Sequence, residues 1–332
     1  MTIKILNFIK VNNDKKFYLK MSLILAVAFF IWYFGSPEEN GIILDPEAEQ
    51  RQMKAAPIAL SNFVPPTIVI WGDGENTSPR RNWSIPPLEI NAEAALAMRA
   101  DGGRIYYNKN MEERRPVASL TKLMTAIIVL ENYNLEEIIK VPLAAVQREG
   151  SRGDLKPSEE ITVRSLLNMM LIDSSNDAAI ALAEKNPNFV SLMNKKAKEI
   201  GLLNTRFSNP DGLDEDNNYS TAVDIAKIFV YLTSNYPAVL DILKTENMIV
   251  YSADGKVAHR LKNTNALLGA ISEIRAGKTG YTDKAGGSLA LLVSSFHFGN
   301  ENNIITIVLG SPDRFGESEK LIQWLKESYI WN

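Results

Sequence analysis

Pro116 to Thr125 reads "PVASLTKLMT" and sets Ser119 three residues before Lys122, where an apolar helical pattern begins. Residues three apart on a helix share a face, so a hydroxyl and an amine so placed can touch. A serine hydroxyl becomes a nucleophile only with a base beside it. In a chain with two histidines and no cysteine, a lysine of depressed pKa is the available candidate. A helix beginning at Ser119 would also aim its free backbone N–H groups at whatever the hydroxyl attacks. Alone, the pair is weak evidence, since about one such spacing is expected by chance in a chain of this length. Its bland reading is an N-cap serine with a solvated lysine.

Two further clusters change that weight. "DSSND" supplies Ser174 and Asn176 at the junction of two apolar helical segments, and "GKTGYT" supplies Lys278, Thr279 and Gly280 just before a strand. Taken singly, the first reads as a polar turn capping a helix and the second as a strand-entry turn. Together, S-x-x-K, S-x-N and K-T-G in that order form a highly specific constellation.

The elements that must position these groups follow from periodicity. "EAALAMRADGGRIYYNKN" reads as strand, Asp-Gly-Gly turn, strand. "SLTKLMTAIIVLENY" has helical apolar spacing, with Leu120, Leu123, Met124, Ile127, Ile128 and Leu130 toward a core. Helices are expected at "TVRSLLNMML", "SNDAAIALAEKN", "NFVSLMNKKAKEIG" with its Gly201 stop, and "STAVDIAKIFVYLTS", where Thr221 and Asp224 fit a capping box. "GGSLALLVSSF" and "NIITIVLGS" read as strands, followed by a last helix, "GESEKLIQWLKESY". Strands at both ends with helices between predict one α+β unit whose terminal segments share a sheet. No internal repeat is visible.

The N-terminal part has another character. Lys4, Lys10, Lys15, Lys16 and Lys20 precede "MSLILAVAFFIWYF", and the following flank carries only acids until Arg51. That asymmetry predicts residues 1–16 as a basic cytoplasmic leader, 17–35 as a single transmembrane anchor and the body outside the cytoplasm, toward periplasm or wall. The apolar run from Met21 to Phe34 falls short of the roughly 20 residues that span a bilayer, unless Phe17 to Leu19 extend it while Lys20 snorkels. A cleaved signal peptide is the alternative; no small-x-small site follows the run. Residues 36–87 are proline-rich and aperiodic, an extracytoplasmic linker in which "PPTIVIWGDG" could dock as a strand, and 88–332 form the folded domain. With 332 residues, 45% hydrophobic, and a net charge of -3 from scattered basic and acidic groups, the chain can bury a large core and offers no nucleic-acid surface. Lack of cysteine excludes disulfides and thiolate metal sites. No cofactor or metal is implied, and His259 and His297 read as structural.

With the three motifs go "RRPVASLTKLMTA", "LKPSEEITVRSLL", "NTRFSNPDGLDEDNNYSTAVDIAK" and "LKNTNALLG". From about Leu88 onward the chain resembles the serine D-alanyl-D-alanine carboxypeptidases, low-molecular-mass penicillin-binding proteins of the β-lactamase/transpeptidase-like fold. The resemblance implies an antiparallel sheet packed by helices, a helical lobe opposite, and a site between them. It implies Ser119 as nucleophile, Lys122 as general base and Ser174 as proton relay. Asn176 would bind the peptide amide, Lys278 and Thr279 the terminal carboxylate of D-Ala-D-Ala, and the N–H groups of Ser119 and Tyr281 would form the oxyanion hole beside Gly280. A partly desolvated cleft and a second cation in it, Lys278, are together the expected causes of a depressed Lys122 pKa. Peptidoglycan stem peptides and, as covalent inhibitors, β-lactam antibiotics are the implied partners.

Departures from the family pattern are Arg275 and Ala276 where an Asp-Gly pair usually precedes the lysine, "SSN" for Ser-Gly-Asn, and little chain after the last helix for a second β-rich domain. Three readings remain: a carboxypeptidase trimming the terminal D-Ala; a D,D-endopeptidase or β-lactamase on the same machinery; and a non-catalytic wall-binding protein, which the full set of catalytic side chains disfavours. A β-lactamase needs a carboxylate-activated water, and no E-x-x-L-N segment follows Ser174.

Overall fold

The computed structural model describes residues 79–150, 153–294, 296 and 303–331. The expected leader 1–16, the membrane segment 17–35, the linker up to residue 78 and His297 lie outside the described residues. Among the described residues no helix is long and apolar enough to cross a membrane.

In chain order the elements are β1 (Arg80–Arg81), β2 (Ala94–Arg99), β3 (Ile105–Lys109), a 3-10 turn (Ala118–Thr121), α1 (Lys122–Asn132), β4 (Ile138–Lys140), α2 (Leu143–Val146), β5 (Glu160–Thr162), α3 (Val163–Ile172), α4 (Asn176–Glu184) and α5 (Phe189–Glu199). They continue with α6 (Ala222–Asn235), α7 (Ala238–Leu243), β6 (Asn247–Tyr251), β7 (Ala258–Lys262), β8 (Ile274–Thr282), β9 (Gly286–Val293), β10 (Ile304–Ser311), α8 (Arg314–Ser328) and β11 (Tyr329–Ile330). The predicted hairpin is β2–β3, and the two late strands are β9 and β10. They join β8 in one antiparallel sheet of order β3-β2-β10-β9-β8, so strands from both ends of the domain share it, as the α+β pattern predicts.

Both faces of this sheet are covered, which is why its strands read as nearly continuous apolar runs. Successive side chains alternate between the faces. Ala94, Leu96 and Met98 of β2, Ala290 and Leu292 of β9, and Ile305, Ile307 and Leu309 of β10 pack into the helical core. Ala95 and Ala97, Leu289, Leu291 and Val293, and Ile304 and Val308 face Leu321, Ile322 and Leu325 of α8. In the helical lobe α1 is buried on every side from Lys122 to Leu130, the signature of a central helix. Lys122 is the charged exception, at its first position.

Local signals place the other helices. Thr162 and Ser175 accept from the backbone N–H of Ser165 and Ala178, capping α3 and α4. Thr221 caps α6 by accepting from Asp224 N at 3.1 Å, but the expected capping box is one-sided. The Asp224 carboxylate turns instead to Asn204 N at 2.8 Å and Thr205 Oγ1 at 2.9 Å, tying α6 to the chain after α5. At the other end of the domain, Arg80 and Arg81 of the proline-rich segment pair with Ile330 and Tyr329, so the chain lies on the domain from residue 79 onward.

Candidate active site

The helix starts at Lys122, not at Ser119, which sits in the 3-10 turn before it. The cause is Ala118, held in the left-handed region at φ 49, which breaks helical geometry one residue ahead of the serine. The K-T-G segment lies inside β8 rather than before a strand, with Lys278 opposite Ala290, Thr279 opposite Leu289 and Gly280 opposite Ser288. The unusual Arg275 is absorbed as a bulge, where the β8–β9 register shifts between Ile274 and Ala276.

Glycines hold the Ser119 backbone in place. A Cβ on Gly212, at φ 86, would stand 2.0 Å from Ala118 O, and one on Gly280 would stand 2.9 Å from Val117 O and 3.0 Å from Ser119 N. No other residue type allows the loop and the strand to close on the serine from both sides. The second serine, Ser174, is itself left-handed at φ 61, between the end of α3 and the start of α4. Strained backbone therefore occurs at both hydroxyl-bearing turns.

The polar groups converge as the motif spacing predicts. Lys122 is 0% exposed, and its Nζ lies 2.9 Å from Ser119 Oγ, 2.7 Å from Asn176 Oδ1 and 2.7 Å from Asp211 O. Asn176 is held in this orientation because its Nδ2 donates to Glu149 O at 3.0 Å. A neutral amine has two N–H donors and one lone pair. The two carbonyl oxygens can only accept, so they take both donors and leave the lone pair directed at the Ser119 hydroxyl. The arrangement is that of a base poised on its acid.

Burial pushes the Lys122 pKa down to about 8. Asp211 and Asp177 pull it upward, and Arg148 lowers it further. Both expected causes are present, desolvation being the larger, and Arg148 is a further cation that the sequence did not suggest. Lys278 is likewise held well below its ordinary value, by burial first, then by Lys122 and Arg314, so each of the two buried amines disfavours the other's charge. Lys278 Nζ donates to Ser174 Oγ at 2.8 Å, so a buried amine contacts the second serine. Thr279 is buried with its hydroxyl on that of Thr264, while Tyr281 is exposed at the rim. As the outer strand of the sheet, β8 has an edge that β9 does not occupy, beside Ser119.

All eight expected residues lie on these three segments, but several participants have no sequence signature of their own. Asp211 reaches Lys122 through its main-chain oxygen, while its buried carboxylate receives the fork of Arg148, with Nη2 at 3.1 Å from Oδ1. Arg314, at the start of α8, donates to Gly280 O at 3.1 Å. Asp214 accepts from Thr282 Oγ1 at 2.6 Å and from Lys284 N at 3.3 Å, fastening the 209–218 loop to the β8–β9 turn. The segment "NPDGLDED" contributes to the resemblance but gives no hint that its backbone forms part of the site.

The D-alanyl-D-alanine carboxypeptidase model of peptidase family S11 matches residues 81–313. The chain is 36% identical over 223 residues to D-alanyl-D-alanine carboxypeptidase DacF of Bacillus subtilis, covering 64% of this chain and 54% of that protein. It is 29% identical over 249 residues to a D-alanyl-D-alanine endopeptidase of Pseudomonas aeruginosa, covering 73% and 79% respectively. The match thus spans little more than half the length of the Bacillus relative. Among solved structures, the Streptomyces K15 DD-transpeptidase superposes with a TM-score of 0.67 at 29% identity, covering 72% of this chain and 98% of that one. Fold, motif order and the family match agree: the chain belongs to the S11 family of D-alanyl-D-alanine carboxypeptidases.

Proposed function

We propose that this protein is a serine D,D-carboxypeptidase that removes the terminal D-Ala from peptidoglycan stem peptides through an acyl-enzyme on Ser119. The observation that carries this reading is the buried Lys122 amine, 2.9 Å from Ser119 Oγ with its other two partners fixed acceptors. Lys122 takes the hydroxyl proton as Oγ bonds to the carbonyl carbon of the penultimate D-Ala. The N–H groups of Ser119 and Tyr281 hold the resulting oxyanion. Collapse breaks the peptide bond, and the leaving amine receives a proton through Ser174, whose hydroxyl is backed by Lys278 Nζ. Lys278 and Thr279 hold the substrate's terminal carboxylate, Asn176 its amide, and water then cleaves the ester.

The same chemistry makes β-lactams covalent inhibitors. Among the described residues, the Asp211 carboxylate is taken by Arg148 and that of Asp177 by Ser175 Oγ and the N–H groups of Leu155 and Ala178, so neither is free to activate a deacylating water. Endopeptidase action on cross-links is the second reading, favoured by the relative of that name matching over 79% of its own length. The charge asymmetry about residues 17–35 supports a single-pass anchor with the catalytic domain outside the cytoplasm.

Incubation with a stem pentapeptide and with a cross-linked dimer, read by mass spectrometry, tests the assignment. Tetrapeptide plus free D-Ala is the expected product. Cleavage of the dimer with the pentapeptide untouched would make the protein an endopeptidase, and rapid repeated hydrolysis of penicillin would make it a β-lactamase.

A further inference from the structure

The end of the domain remote from the site carries a surface that the proposed reaction does not use. Trp83 is 86% exposed and Ile330 54% exposed, both beside the β1–β11 pair, and Pro86 and Pro87 are exposed next to them. Arg81 organises this patch. Its guanidinium lies 4.8 Å from the ring centroid of Trp324 and 5.4 Å from that of Trp83, and its Nη2 donates to Ile85 O at 2.8 Å. The indoles of Trp324 and Trp331 are half-buried, with their N–H groups bonded to Pro86 O and Leu325 O. Trp83 is presented outward on a pinned turn.

We propose that this tryptophan–arginine face seats on the outer surface of the membrane and holds the catalytic site away from it. The inference rests on the reading of residues 17–35 as an anchor. Three observations favour lipid as the occupant. Indole rings beside guanidinium groups have the composition of a membrane interface, where an apolar body and a polar or charged tip are both accommodated. The described chain begins at Pro79, whose carbonyl is bonded to Arg104 beside this face, so the segment arriving from residue 35 reaches the domain there. Residues 36–78 can span at most about 150 Å, which confines the patch near the bilayer and lets a weak contact persist by raising its local concentration.

The third observation is direction. Helix α8 starts at Arg314, bonded to Gly280 O in the site, and ends at Ser328, whose carbonyl accepts from Asn82 N at 2.8 Å in the patch. Its 15 residues make it about 22 Å long. Seating the patch on lipid therefore sets the β8 edge farther out, toward the wall, by up to about that distance.

The chain has no cysteine, so single nitroxide labels can be placed cleanly on Ser84→Cys, beside Trp83, and on Leu203→Cys, 79% exposed on the helical lobe. Full-length protein is reconstituted in vesicles of phosphatidylcholine and phosphatidylglycerol, and each label is probed with oxygen and with a water-soluble nickel chelate. The label at 84 should favour oxygen and the label at 203 the chelate. Adding Trp83→Ala should shift the docked-to-free ratio at 84 by about tenfold or more. Protein that floats with the vesicles but shows both labels equally open to the chelate overturns the docking and leaves the anchor standing. Protein that does not float overturns both. Spin–spin broadening at 84 with shielding from both reagents, or shielding that requires added glycan fragments, assigns the face to a second copy or to sugar and overturns the lipid assignment.

Discussion

Replacing Lys122 with arginine separates a base from a structural cation. With its pKa lowered to about 8, Lys122 is neutral in about one molecule in ten at pH 7, against about one in three thousand at the ordinary value of 10.5. Burial thus enriches the reactive form by a factor of about 300. With the neutral amine as the proposed base, the acylation rate should rise about tenfold per pH unit below pH 8 and level off above it. A guanidinium is effectively never neutral, so Lys122→Arg keeps the charge and removes the base. Loss of general-base assistance costs roughly 10² to 10⁴ in rate, and more where base and nucleophile act as a unit. The assay is stopped-flow acylation by a fluorescent penicillin from pH 6 to 9, for wild type, Lys122→Arg and Ser119→Ala, with thermal melts to establish folding. Lys278 is depressed as well, so Lys278→Arg is measured in parallel: it should slow acylation without removing the inflection near pH 8. A flat wild-type profile, or a folded Lys122→Arg protein acylating near the wild-type rate, would refute the argument.

Asn176→Asp places a carboxylate where an amide oxygen now lies 2.7 Å from Lys122 Nζ, so the inflection should move to higher pH and acylation at pH 7 should fall, read from the same profiles. Arg148→Met strands the buried Asp211 carboxylate and removes the cation that lowers Lys122; a loss of about 3–5 kcal/mol is expected in urea unfolding, with the inflection again shifted upward. Gly212→Ala forces a Cβ to within 2.0 Å of Ala118 O at φ 86; thermal melts should show clear destabilisation, and any folded fraction should label poorly because the Ser119 turn is displaced.

The sequence by itself determined the strand-rich ends, the main helices between them and the three motif segments. Apolar runs of strand length and helical apolar spacing are local properties that burial imposes: β2, β9 and β10 carry the first, and α1, α3 to α6 and α8 the second. The motif residues were legible because the proposed chemistry needs particular side chains, which restricts residue type at fixed spacing. What only the tertiary structure decided lies in backbone and long-range packing. That Ser119 precedes the helix, that Lys278 lies within β8, that Asp211 contacts Lys122 through its carbonyl and that Arg148 adds a second cation acting on Lys122 all depend on segments far apart in the chain. A main-chain oxygen has no residue type to read, and the pKa of a lysine is set by the water excluded from around it. That exclusion exists only once the helical lobe has closed on the sheet.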